Sequence, residues 1–156
     1  MPLASKPSWT IPVADGPVSV VADRIVAAVV GGAAVTLTYK LAGVRPDGRG
    51  HGTHEQFGME PCGWPLVYGV PCPTCGCTTA AAQVVHGDVL GAFVIQPFGA
   101  AVAVVGLLAG AHAILCLLRR RSFMDALVRL PFWRIVLGLF VLLWAAWGYK
   151  YLVWEA

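Results

Sequence analysis

Apolar residues along the chain gather into three long runs, and the polar ones collect between them. The first run is roughly Ile25 to Leu41, IVAAVVGGAAVTLTYKL. Its strictly apolar part falls short of the ~20 residues a bilayer core requires. Asp23, Arg24 and Lys40 flank it and can snorkel toward water. The second, Phe98 to Leu118, carries no formal charge when His112 is neutral. The third reaches from Phe132-Trp133 to about Trp154, with Phe132, Trp133, Tyr149, Tyr151 and Trp154 placed like interfacial aromatic belts. Trp144 and Trp147 lie further in and are expected to face protein or lipid. The pattern predicts an all-α membrane protein with three transmembrane helices, over about 25–44, 98–118 and 133–154.

Between the first two runs lies a Cys-rich loop followed by short interfacial or re-entrant helices, together spanning 45–97. Val44 to Cys77 is too dense in Gly and Pro for long helices or strands. Thr78 to Ile95 reads as two short helices. Thr78 or Thr79 is expected to cap the first, Gly87 to end it in a left-handed turn, and Asp88 to cap Val89 to Ile95. Gln96-Pro97 then restarts the chain, with proline suited to a first helical turn. After the second run, Ser122 and Asp125 fit a capping box, and Phe123, Leu127 and Leu130 fall on one face of a short interfacial helix. Gly31 and Gly32 in the first run, and Gly106 and Gly110 in the second, are small enough to admit a neighbouring helix. Residues 1–24 read as a Pro-rich arm and 25–156 as a single membrane domain. Pro2, Pro7, Pro12 and Pro17 interrupt the arm, so an extended lead-in is expected there and not a signal peptide.

Composition agrees with the pattern. The chain is 58% hydrophobic and 12% charged, and its mean hydropathy is +0.72. That charged fraction is about half of what soluble domains carry. The net charge of +3 centres on Arg119, Arg120 and Arg121, with Arg129 and Arg134 nearby. In a membrane protein such a cluster sets topology, which argues against a nucleic-acid partner. With the N-terminus inside, the inner side carries seven Lys and Arg residues and the outer side four. This favours a bacterial inner-membrane protein with a cytoplasmic N-terminus and a periplasmic Cys-rich loop.

Candidate chemistry is confined to that loop. Cys62, Cys72, Cys75 and Cys77 are spaced C-x9-C-x2-C-x-C, and three readings of them compete. As disulfides they would close a segment too small to have its own core. As a metal site, Cys72-Pro-Thr-Cys75-Gly has the form of a knuckle, and Cys62, Cys77, His51 or His54 would complete four ligands for zinc. As a thiol–disulfide centre, Cys72 and Cys75 precede a helix N-terminus whose dipole lowers a thiol's pKa. Cys62 or Cys77 would then resolve the exchange. Cys116, inside the second run, reads as a small apolar filler. His86-Gly-Asp88 is better explained by capping than by acid–base work.

Cys62, Gly69, the run Pro71-Cys72-Pro73-Thr74-Cys75-Gly76-Cys77-Thr78, then Gly87-Asp88, Ala92-Phe93 and Gln96-Pro97 carry a resemblance. This set resembles a small bacterial membrane-protein family known as a domain of unknown function. That family is marked by Cys-Pro-x-Cys-Gly-x-Thr-Arg-Ala followed by Gly-Asp and Asn-Pro. Here Thr79 stands where the family has arginine, and Gln96 where it has asparagine. The resemblance implies a small helical membrane protein without an assigned activity. The expected role is a non-catalytic accessory or scaffolding subunit of a larger membrane complex, in contact with lipid and other membrane subunits. The alternatives are a thiol–disulfide oxidoreductase using Cys72 and Cys75, with a quinone as candidate acceptor and an apolar pocket beside Cys72 as its mark, or a structural zinc module.

Overall fold

The computed structural model describes residues 19–154. Among them are seven α-helices, one short 3-10 turn and no strand. Three helices are long and apolar enough to cross a bilayer: α1 (Val20–Ala42), α5 (Pro97–Leu118) and α7 (Phe132–Leu152). The chain is an all-α membrane protein of three spans, as the hydrophobic runs predict. The Pro-rich arm lies outside the described residues up to position 18.

α1 begins at Val20 and not near Ile25, because Asp23 is no snorkelling flank. Its carboxylate turns inward, 95% buried, and accepts from the Ser122 hydroxyl (2.8 Å) and the Met124 amide (2.7 Å). The Ser122 hydroxyl also accepts from the Asp125 amide, capping α6 (Phe123–Val128) as the spacing predicts. The start of α1, the end of α5 and α6 thus form one end of the bundle. Of the predicted α6 face, Phe123 is buried, while Leu127 and Leu130 point outward.

α1 and α5 pack through glycine. A Cβ on Gly31 would meet Ile114 Cγ1 at 3.0 Å, and one on Gly110 would overlap the Ala34 side chain. Gly32 and Gly106 face open space. Close packing therefore uses one glycine of each predicted pair. Ala27, Ala113, Cys116 and Phe123 form a small core at the α6 end, where Cys116 fills space as expected. α7 leans on the others lightly, with Ala146 and Lys150 as its buried residues.

At the other end sits a cap built from 45–97. It contains the 3-10 turn Thr53–Phe57 and the helices α2 (Gly63–Tyr68), α3 (Cys77–Val85) and α4 (Val89–Ile95). Gly87 stops α3 at φ +90°, with the Asp88 amide bonded back to Gln83 O and the Gly87 amide to Val84 O. Asp88 then caps α4 through the Gly91 amide (2.9 Å). The predicted threonine cap of α3 is corrected: Gly76, at φ +90°, occupies that position. Thr79 is fully buried and pairs its hydroxyl with Thr53 (2.8 Å), so α3 is tied to the 3-10 turn. Ala80, Val84, Ala92 and Ala100 close the cap onto α5.

Candidate functional site: a thiol-lined cap

The cap is fixed to the bundle mainly by side chains that reach backbone carbonyls. Gln96 is fully buried. Its amide donates to Pro73 O (3.2 Å), while its carbonyl oxygen accepts from the Phe98 and Gly99 amides and caps α5. From α7, Trp147 donates its indole N–H to Pro71 O (3.0 Å), Tyr149 its hydroxyl to Val94 O (2.7 Å), and Lys150 its ammonium to Gly50 O (3.2 Å). These donors satisfy loop carbonyls that would otherwise be left unpaired at the membrane end of the cap.

This clamp sets the knuckle. The Cys75 amide donates to Cys72 O and the Cys77 amide to Thr74 O, each at 3.0 Å. The turn closes at Gly76, where a Cβ would lie 2.6 Å from Gly50 O and φ already favours glycine. On the other side, Cys62 precedes α2 and its thiol faces that of Cys72. Cys75 lies deeper, near enough to both to feel their charge, with Lys150 approaching from α7. Cys77 interacts with Cys72 from the first turn of α3. Cys62, Cys72 and Cys75 line a cavity of about 400 Å³, bordered by Arg49, His51, His54 and Glu55. Arg49 bonds both Asp47 (2.8 Å) and Glu55 (3.2 Å), and holds the Asp47 carboxyl below its ordinary value.

Three of the thiols, Cys62, Cys75 and Cys77, do not have the character of activated nucleophiles. Burial pushes Cys75 up to about 12 and Cys77 up to about 11, with the charge of Cys72 adding to each. Burial also raises Cys62, offset in part by the Trp64 amide and reinforced by Cys72. For Cys75 this corrects the expectation of a lowered pKa before α3: removal from water outweighs the nearby charge of Lys150 and the hydrogen bond with the Cys72 backbone.

The metal set fares differently. Among the described residues no three Cys, His, Asp or Glu side chains gather closely enough to share one ion. Cys62, Cys72, Cys75 and Cys77 are therefore neighbours without forming a tetrahedral zinc site. The histidines are engaged elsewhere, His51 donating to Arg49 O (3.1 Å) and His54 to Glu60 O (3.2 Å). His86 bonds Ala82 O within α3 (2.8 Å).

Five anchors were not evident from the sequence: Lys150, Tyr149, Trp147, Thr53 and the cap function of Gln96. Lys150 and Tyr149 look like interfacial residues of a span and Trp147 like one facing protein or lipid, and only the approach of the cap makes them donors. Gln96 carried a local signal, a side-chain oxygen just before a proline at N1, where a cap is expected.

No curated protein and no solved structure matches the chain. Residues 62–110, from Cys62 through the cap and into α5, are similar to a family described as a protein of unknown function (DUF2752).

Proposed function

We propose that the chain is a non-catalytic accessory subunit of a bacterial inner-membrane complex, its cap stapled by a Cys62–Cys72 disulfide on the periplasmic side. The observation that carries this reading is the position of the thiols inside a clamp. Cys62 faces Cys72, while α5 and α7 hold the surrounding backbone at Pro71, Pro73 and Gly50. Bridging the pair would close a loop of about ten residues and contribute about 2–3 kcal/mol by the chain-entropy relation. The resemblance to the family marked by Cys-Pro-x-Cys-Gly is part of the same proposal. The proposed orientation is supported by the arginines: Arg119, Arg120 and Arg121 lie exposed at the α6 end, which favours a cytoplasmic α6 end and an outward-facing cap.

A second reading, thiol–disulfide exchange at Cys72, is favoured by the cavity that Cys62, Cys72 and Cys75 line together. The reduction potential of the Cys62–Cys72 pair separates the two. A structural staple lies below about −300 mV, and a value near −200 mV belongs to an exchange centre. The subunit role is tested by purification in mild detergent from native membranes. A stoichiometric membrane partner is expected, and a monodisperse lone protomer counts against it.

A further inference from the structure

On the bundle flank below the cap, α1, α3 and α5 enclose a groove of about 830 Å³ that is almost wholly apolar. Its floor is made of small residues, Ala33, Ala34, Ala103 and Gly106 among them, whose lack of bulk leaves the space beside the Gly110–Ala34 contact open. The ammonium-bearing Lys40, exposed in the last turn of α1, sits at its edge. Among the described residues Lys40 has no carboxylate partner. We infer that this groove is a discrete site for one anionic phospholipid of the cap-side leaflet, an acyl chain lying along the small-residue floor and the headgroup phosphate at Lys40.

The groove's volume lies within the ~300–1,000 Å³ of small-molecule sites, room for an acyl chain. Charge separates an anionic lipid from a neutral one: a single near-surface lysine favours an anionic headgroup by about fivefold. The site does not rest on the Cys62–Cys72 staple: of the cap cysteines, Cys77 is the one in its lining.

Two glycines make the test clean. A Cβ on Gly106 meets nothing within 4 Å, so Gly106→Leu fills the groove without touching the α1–α5 contact. Gly32 is equally open but lies outside the groove lining, which makes Gly32→Leu the matched control. The full chain is placed in nanodiscs of equimolar phosphatidylglycerol and phosphatidylcholine, and retained lipid is counted by native mass spectrometry after release. The expected result is one retained phospholipid with phosphatidylglycerol preferred about fivefold. Lys40→Gln should abolish the preference, Gly106→Leu should lose the lipid, and Gly32→Leu should match the parent. Retention unchanged in Gly106→Leu overturns the site. So does a preference that survives Lys40→Gln, or a neutral quinone or a protein segment found in the groove.

Discussion

At the scale of single residues, the thiols report their surroundings through pH. Cys75 and Cys77 are held at about 12 and about 11 in the folded cap, against an ordinary 9.0. Unfolded thiols lose their protons first as pH rises, so above pH ~9 the unfolded state binds fewer protons and stability must fall. Melting of the reduced protein is therefore expected to drop as pH rises from about 9 toward 11, and to drop less in Cys75→Ser and Cys77→Ser. Iodoacetamide should label both slowly at neutral pH. Thr79 gives a second expectation. Thr79→Val leaves the buried Thr53 hydroxyl with the Asp47 amide as its donor and no acceptor, which should cost about 1–3 kcal/mol in a chemical denaturation series.

At the scale of elements, glycine distinguishes contact from opening. Gly99 lies against α3, where an added Cβ would come within 2.6 Å of the Cys77 Cα, whereas Gly106, about two turns further along α5, meets nothing. Gly99→Ala should therefore destabilise by about 1–3 kcal/mol through overpacking. Gly106→Ala should be neutral or gain up to ~1 kcal/mol from helix propensity. Thermal melts in one detergent compare the two directly. Most of the helices were legible because each leaves a local mark: a bilayer-length apolar run for α5 and α7, Gly87-Asp88 between α3 and α4, and Ser122-x-x-Asp125 before α6; α2, inside the Gly- and Pro-rich loop, leaves none. The start of α1 was not, since Asp23 looks like a flanking charge until α6 supplies its donors. Nor was the Thr79 pairing, which joins residues 26 apart in sequence.

At the scale of the molecule, the three spans alternate in direction and carry two different ends. One is an arginine-rich turn held by Asp23. The other is a cap in which loop carbonyls are answered by donors from α5 and α7. Cysteine spacing announced that the cap exists, but left its pairing open, because Cys62 reaches Cys72 only after α2 folds back. The clamp explains why α7, lightly packed elsewhere, is anchored at its last two turns. Trp147→Phe removes one donor and should loosen that end, seen as faster hydrogen exchange at α7 residues 147–152 with α1 and α5 unchanged. The proposed staple joins Cys62 to Cys72. Alkylation of unreduced native membranes, followed by mass-spectrometric mapping of the cysteines, decides it. Cys62 linked to Cys72 is expected, with Cys75, Cys77 and Cys116 recovered as unlinked thiols. Five free thiols, or a bridge joining Cys72 to Cys75, would rule the staple out.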